Sequence, residues 1–242
     1  FPTECGIASS ASGLGALTLA AVAAWTGCDN IPDLQLRGHT LPALAGMARI
    51  GSGSACRSFF GGFVGWDAGS SPAEQSVHQV ADETHWPLAD LIVIVSADKK
   101  PVSSTVAHKT AWSSPLFGPR LAGLSERLTT TNEAIRERNL QKLGSCIEAD
   151  ALEMHAVMMT SEPAARYMTK KSEEVISWIR SERTSGRMDA WFTMDAGPNV
   201  HVICESKDAA AYSEKIKERF PDFELIADMT GAGPVLYKGT LS

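Results

Sequence analysis

Small and apolar residues run almost unbroken from Ser10 to Trp25, which predicts a buried, Ala-rich helix closed at Thr26 with Gly27 as its C-terminal cap. Cys28 to Gly38 is polar and reads as a loop. Thr40 is a good N-cap and Pro42 fits the turn after it, so a second helix follows with Leu41, Leu44, Met47, Ala48 and Ile50 as its apolar face. Gly51 to Ser58 reads as a turn, and F-F-G-G-F-V-G-W from Phe59 to Trp66 as a strand with glycines where something packs close. Asp67 to Gln75 is a surface loop, Leu91 to Val95 a buried strand, and Ser96 to Ser104 a polar, mobile loop. From Phe117 to Glu182 the period is helical, through Leu121, Leu124, Leu128, Ile135, Leu143, Ile147, Met154, Met158, Val175, Ile176 and Ile179. Ala190 to Met194 and Val200 to Cys204 predict strands around a D-A-G-P-N turn. A helix then runs from Ser206 to before Pro221, and strands at Phe223 to Ile226 and Val235 to Tyr237 flank T-G-A-G-P. Strands and helices mix without strict alternation, which points to an α+β fold.

At 242 residues, 44% hydrophobic and 21% charged, the chain has the composition of a globular protein with one large domain or two small ones. The net charge of −6 argues against nucleic acid as a partner, because phosphate-backbone binding needs clustered Lys and Arg. No apolar run approaches the roughly 18 residues that span a bilayer, so no membrane partner is expected. Five cysteines, an odd number without C-x-x-C spacing, fit neither a disulfide framework nor a zinc site and favour a reducing, cytoplasmic setting. The chain begins with Phe1 and enters at once a loop of the kind that normally follows a strand, which leads us to expect that an N-terminal portion is missing.

The candidate chemistry lies in three glycine-bearing bends. In F-P-T-E-C-G-I-A-S-S-A-S-G, Gly6 and the small residues Ala8, Ser9, Ser10 and Ala11 admit a polyanion to the backbone. Ser9, Ser10 and Ser12 offer hydroxyls, and the following helix directs its N–H groups back at the loop. It is not a Walker loop, since no Gly-Lys-Ser/Thr follows, and an ordinary Ser N-cap is the alternative reading. G-S-G-S-A-C-R sets Ser52, Ser54 and the Arg57 fork in one turn, suited to a carboxylate or phosphate; the alternative is a flexible turn with Arg57 solvated. D-A-G-P-N places Asp195 after a strand, where a carboxylate acts as a base or merely caps its own turn. Lys99, Lys100, Ser103, Ser104 and Thr105 form either a lid over phosphates or a solvated linker. Cys5 and Cys56 read as packing residues rather than activated thiols, and His155 as structural rather than a ligand. Together the bends point to an ATP-using enzyme with a small anionic substrate.

In this order the bends resemble the GHMP superfamily of small-molecule kinases, and within it the mevalonate diphosphate decarboxylase family. P-T-E-C-G-I-A-S-S-A-S is similar to the superfamily's P-x-x-x-G-L-x-S-S-A pattern, with Ile7 in the Leu position. G-S-G-S-A-C-R-S with F-F-G-G-F-V-G-W, D-A-G-P-N-V, K-x-V-S-S-T (Lys100 to Thr105) and M-H-A-V-M-M with Y-M-T (Met154 to Thr169) are similar to the narrower family. The resemblance implies a GHMP-kinase-like two-layer architecture. An N-terminal ribosomal-S5-like α/β part would cover 1–105, and a helical and split βαβ (ferredoxin-like) part 106–242. It implies ATP-dependent decarboxylation of mevalonate 5-diphosphate to isopentenyl diphosphate, with Mg²⁺ and ATP. Asp195 would take or orient the proton of the tertiary hydroxyl, and Arg57 would grip the substrate near its carboxylate. Ser52 and Ser54 would contact substrate phosphate, and Gly6, Ala8, Ser9, Ser10, Ser12, Ser103 and Ser104 would form the ATP site. A metal ligand is not assigned. A homodimer is implied, as is a preceding segment with a Lys that completes an Asp-Lys-Arg set and a Tyr near the substrate. Alternatives within the fold are a mevalonate 5-phosphate decarboxylase or a small-molecule kinase. A nucleotide-binding fragment that needs its missing N-terminal part is a third. Glu4 and Cys5 depart from the family pattern, which usually has small neutral residues there.

Overall fold

The computed structural model describes residues 9–69, 74–96 and 104–237. They divide into two compact units, one running to Trp86 and taking back the tail from Thr230, the other running from Pro87 to Met229. Among the described residues no helix is long and apolar enough to cross a membrane.

The first unit begins with α1 (Ser9–Thr26), which ends at Gly27 with φ 67°, the left-handed conformation of a helix C-terminus. It is not a buried helix: Leu17 and Trp25 are exposed, and one stripe of Gly15, Leu19, Val22 and Ala23 faces inward. Spacing of four, seven and eight residues is what one face of a helix presents to a core. The stretch expected as a loop contains a short helix, α2 (Ile31–Leu36), because the Asn30 side chain accepts from the Asp33 N–H at 2.9 Å and Pro32 pre-sets the first turn. α3 (Leu41–Gly51) starts at the expected Thr40 cap, with Leu44, Ala45 and Ala48 buried. Met47 and Ile50 are exposed, contrary to the expected face. The bend after α3 is a 3-10 helix, Gly53–Phe59. The following strand is shorter than expected: β1 (Phe63–Asp67) pairs antiparallel with β2 (Ser76–Ala81), and Phe59 to Gly62 lies outside it. Leu19, Val22, Leu34, Leu44, Cys56 and Phe59 centre this core. The tail does not form the expected strand at Val235 to Tyr237, where Val235 and Tyr237 are exposed; it returns through glycine contact, Gly62 N–H donating to Gly231 C=O at 2.9 Å.

The second unit runs β3 (Leu88–Ile94), α4 (Ser104–Thr110), α5 (Phe117–Glu137), α6 (Leu140–Thr160), α7 (Lys170–Thr184), β4 (Trp191–Thr193), β5 (Val200–Glu205), α8 (Ala209–Arg219) and β6 (Glu224–Met229). The sheet order is β4-β5-β3-β6 with every neighbouring pair antiparallel. Strand, helices, two strands, helix and strand in that order form the split βαβ, ferredoxin-like arrangement. Alternate residues of the central strands, Ala89, Leu91 and Val93 with Val200, Val202 and Cys204, meet Val175, Ile176 and Ile179 of α7 and Ile216 of α8. The opposite face of those strands carries Asp90, Ile92, His201 and Ile203, as a period of two requires. α5 and α6 form a hairpin joined through Arg138 at φ 54°, and Arg120 and Arg127 of α5 pair with Asp150 and Glu153 of α6.

The position of β4 depends on Gly144. A Cβ on this residue would lie 1.9 Å from Cδ2 of Trp191, while the Arg183 guanidinium lies 3.7 Å from the centroid of the Trp191 ring. Helix propensity alone favours Ala over Gly by about 1 kcal/mol. The clash reverses that sign: Gly144→Ala is expected to destabilise the protein by about 3 kcal/mol and lower the unfolding midpoint by roughly 6–12 °C. Thermal unfolding followed by Trp fluorescence measures this, and a raised midpoint would show that α6 does not press on Trp191.

Candidate active site

In the first unit the expected hydroxyls converge. Gly15 lets α1 lie against the 3-10 helix, for a Cβ there would come within 3.0 Å of Ser58 Cβ. That approach brings Ser10, in the first turn of α1, to Ser52, the extended residue that opens the 3-10 helix. Ser10 Oγ lies 3.2 Å from Ser52 Oγ, which lies 3.2 Å from Ser54 Oγ. Three hydroxyls at the positive end of an 18-residue helix form a row of donors matched to phosphate oxygens. Arg57, one turn further along, is exposed and its guanidinium forms no ion pair among the described residues. Cys56 is not an activated thiol: burial pushes its pKa up, against the smaller pull of Arg57 and Arg49, and its S–H donates to Gly53 C=O at 3.0 Å.

In the second unit Asp195 stands two residues past β4. Phe192 and Met194 point into the core, so alternation leaves Asp195 on the other face, and it is exposed. Its carboxylate makes no hydrogen bond or ion pair among the described residues, so it does not cap its own turn. Other groups hold that turn. Gly197 N–H donates to Asp195 C=O at 2.7 Å, and Ser172 Oγ donates to Pro198 C=O at 2.6 Å. Asn199 Oδ1 accepts from Val95 N–H at 3.0 Å and Ser96 N–H at 3.3 Å, tying the turn to the end of β3. Ser172 is itself fixed by a capping box with Thr169 at the start of α7.

Two histidines flank the turn. His155 is buried on α6 with its ring edge-on to Tyr167, centroids 6.3 Å apart. Burial pushes its pKa down, more than the Asp195 backbone and charge pull it up. His201 follows on β5, opposite Thr193, and its Nδ1 lies 2.8 Å from Asp90 Oδ2. Burial alone would lower the His201 pKa, but the Asp90 hydrogen bond and charge, helped by Asp195, raise it above the ordinary 6.5.

Of the residues expected from the sequence, Ser10 of α1 comes together with Ser52 and Ser54, Arg57 lies in the same short helix as Ser54, and Asp195 belongs to the other unit. Ser12 lies one turn into α1. Gly6, Ala8 and Ser103 lie outside the described residues, as do Lys99, Lys100, Glu4 and Cys5; Ser9 and Ser104 are described only as the first residues of α1 and α4. The sequence by itself does not mark Ser172, Thr169 and Asn199 as holding the turn. The Asn that closes D-A-G-P-N and the Thr that ends Y-M-T were the signals for two of them.

Two family models match the chain: the diphosphomevalonate decarboxylase-like N-terminal domain over residues 1–78 and the mevalonate 5-diphosphate decarboxylase C-terminal domain over 90–235. The diphosphomevalonate decarboxylase of Bos taurus is 37% identical over 229 residues, which cover 91% of this chain and 54% of that protein. The structure of MDDEF in complex with MVAPP, AMPPCP and magnesium is 32% identical with a TM-score of 0.82, covering 98% of this chain and 70% of that one. The mevalonate diphosphate decarboxylase from Enterococcus faecalis is 30% identical with a TM-score of 0.80, covering 99% and 70%. The chain spans about half the length of the curated relatives it matches.

The Asp90–His201 pair predicts a pH effect with a definite sign. A histidine whose folded pKa is raised stabilises fully below its unfolded value of about 6.5, and that stabilisation is lost as pH rises through the folded value. Asp90→Asn removes the main opposing charge, so burial then dominates and the His201 pKa is expected to fall below 6.5. An NMR titration of the His201 ring protons reads this directly. No change on Asp90→Asn would mean that the pair does not set the His201 charge.

Proposed function

Because the chain belongs to the mevalonate diphosphate decarboxylase family, we propose that it serves the ATP-dependent conversion of mevalonate 5-diphosphate to isopentenyl diphosphate, phosphate and carbon dioxide. The serine cluster carries this reading. Ser10 and Ser52 are 42 residues apart in sequence, yet their hydroxyls, with that of Ser54, form one row at a helix N-terminus. Hydroxyls and backbone N–H groups are neutral donors, suited to phosphates that already carry their own cation. The complex of MDDEF with MVAPP, AMPPCP and magnesium lends support, because that protein holds a nucleotide analogue together with the ion.

In this reading Ser9, Ser10 and Ser12, with Gly6, Ala8, Ser103 and Ser104, hold the ATP phosphates, while Ser52 and Ser54 hold the substrate phosphate. The described residues offer no group of three or more His, Cys, Asp or Glu side chains for a metal. The Ser10 and Ser52 hydroxyls would help hold Mg²⁺ together with the bound phosphates, and the ion would supply charge neutralisation for phosphoryl transfer. Asp195 accepts a hydrogen bond from the tertiary hydroxyl and takes its proton as that oxygen bonds to the γ-phosphorus and the bond from that phosphorus to the bridging oxygen breaks, its electron pair leaving with ADP. The tertiary alcohol is thereby turned into a good leaving group. As phosphate departs with the C–O bonding pair, the C–C bond to the carboxylate breaks. Its electron pair forms the alkene and carbon dioxide leaves. Arg57 holds the carboxylate by two parallel N–H···O bonds, which orient that C–C bond. Five cysteines without pairing spacing favour a cytoplasmic setting, and the family resemblance favours a homodimer.

Coupled release of ADP and carbon dioxide with mevalonate 5-diphosphate tests the reading. ADP without carbon dioxide would make it a kinase, and turnover only with mevalonate 5-phosphate would move the substrate to the monophosphate. No turnover with either would refute the enzyme reading. Asp195→Asn is expected to lower kcat by about 10²–10⁴-fold while ATP affinity is kept. Arg57→Lys replaces a two-pronged grip with a point charge, and kcat/KM should fall by roughly 10–150-fold. Wild-type kinetics in either variant would remove that residue from the mechanism.

A further inference from the structure

Trp66 stands against the serine row from the side of the β1–β2 hairpin. It is paired across the hairpin with Val77, and residues directly opposite on antiparallel strands point to one face. Val77 is buried, and Val64, two residues back along β1 and so on the same face, packs against the core of the first unit. Trp66 therefore leaves the strand on its core side, yet 40% of it is exposed. The tip of its ring rests on Gly53: a Cβ there would lie 3.1 Å from Cη2 and 3.6 Å from Cζ3 of the indole. Gly53 does not take a positive φ, so the close ring, not the backbone conformation, calls for a glycine. It is also the residue between Ser52 and Ser54, whose hydroxyls are 3.2 Å apart. The carbonyls of the bend are held by its own helix, Ser52 C=O by Ala55 N–H at 3.0 Å and Gly53 C=O by Cys56 S–H at 3.0 Å. Ser52 does not cap that helix with its side chain; its hydroxyl belongs to the row with Ser10 and Ser54.

We propose that Trp66 is a positioning residue for the substrate-phosphate end of the serine row: its ring backs Gly53 and sets how Ser52 and Ser54 present their hydroxyls. This rests on the reading of Ser52 and Ser54 as the contacts to substrate phosphate. A serine hydroxyl turns about its C–O bond, so its place depends on the backbone that carries it. An indole has only two side-chain torsions and is stiff, which suits it to holding a neighbouring backbone at a set height. Hydrogen bonds weaken steeply once the donor leaves its line, so a small shift of the bend loosens the grip on phosphate while the fold survives. Ser10 is carried by α1 and not by the bend, so the nucleotide end of the row depends less on the ring.

Trp66→Ala removes the backing of the bend. We expect KM for mevalonate 5-diphosphate to rise about fivefold, as for one weakened hydrogen bond, with KM for ATP and kcat each changed less than about twofold. Trp66→Phe, which keeps a flat ring, should recover part of the loss. Gly53→Ala pushes a methyl group at the ring and should raise the same KM. Made together with Trp66→Ala it should add little, because the ring it strikes is gone. Unchanged KM for mevalonate 5-diphosphate in Trp66→Ala, equal rises for both substrates, or effects of the two substitutions that simply multiply would overturn the proposal. If Trp66→Ala does not fold, Trp66→Leu carries the same comparison. Should the wild type show no turnover, the substrate reading fails by itself, and hydrogen-exchange NMR of the Ala55 amide, which donates to Ser52 C=O, decides the role of Trp66. Faster Ala55 exchange in Trp66→Ala with the α1 amides unchanged supports it, and unchanged Ala55 exchange overturns it.

Discussion

The buried carboxylate of Glu148 is the interaction on which the sheet unit depends. It accepts from Arg183 Nη1 at 2.8 Å, from Arg180 at 3.4 Å and from the Phe192 N–H at 3.3 Å, joining α6, α7 and β4. β4 is a three-residue edge strand with one partner, too short to hold its place by ladder bonds alone. Arg183 adds a bond to Ala190 C=O at 2.8 Å and covers the Trp191 ring, which also lies against the bare backbone of Gly144. A buried ion pair is seldom a net gain over apolar packing, so its use here is in geometry. It fixes the strand that delivers Asp195, and losing Glu148 would leave Arg183 facing a partly buried gap.

From that strand outward, the Asp195 turn is set by backbone contacts on several elements while its carboxylate is left uncommitted. Ser172 holds Pro198 from the first turn of α7, and Asn199 ties the far end to β3. The Thr169–Ser172 capping box links these, because the hydroxyl that satisfies the helix terminus also donates to the turn. The base proposed for Asp195 needs a fixed place and a free lone pair, and this arrangement is compatible with both. His201 has the opposite arrangement: its Nδ1 is taken by Asp90, across the same face of the sheet.

The helices and central strands were legible because period and caps agreed. Thr40 capped α3, Leu91 to Val95 lay within or beside β3, and both strands around D-A-G-P-N formed where expected. The failures have physical causes. In α2 the cap signal of Asn30 and Pro32 outweighed a polar composition. β2 buries only Val77, so it has almost no alternation to read, and it forms because β1 offers a partner. Val235 to Tyr237 is apolar enough for a strand but gains none. Within the site, residue chemistry was visible and proximity was not. Nothing local tells Ser10 that Ser52 will lie 3.2 Å away, and the exposure of Asp195 follows from strand alternation only once β4 is placed.

Arg57 shows how far from any charge a charged site is decided. Its 3-10 helix is pinned where Gly15 of α1 admits Ser58, next to its last residue. Just beyond, the chain leaves through Phe60 to Gly62, where the returning tail crosses so closely that a Cβ on Gly61 would lie 2.6 Å from Gly233 N. Gly62 takes φ 68° to make that exit and donates to Gly231 C=O. Any side chain at Gly61 must push the tail away, and a side chain at Gly62 would also be strained in its own backbone. Either shift is passed to the Arg57 backbone a turn earlier, because Phe60 N–H donates to Arg57 C=O at 3.3 Å. The two-pronged grip proposed for Arg57 would tolerate little displacement, so in that reading the glycines of F-F-G-G-F-V-G-W matter to the cation as its neighbours in G-S-G-S-A-C-R do.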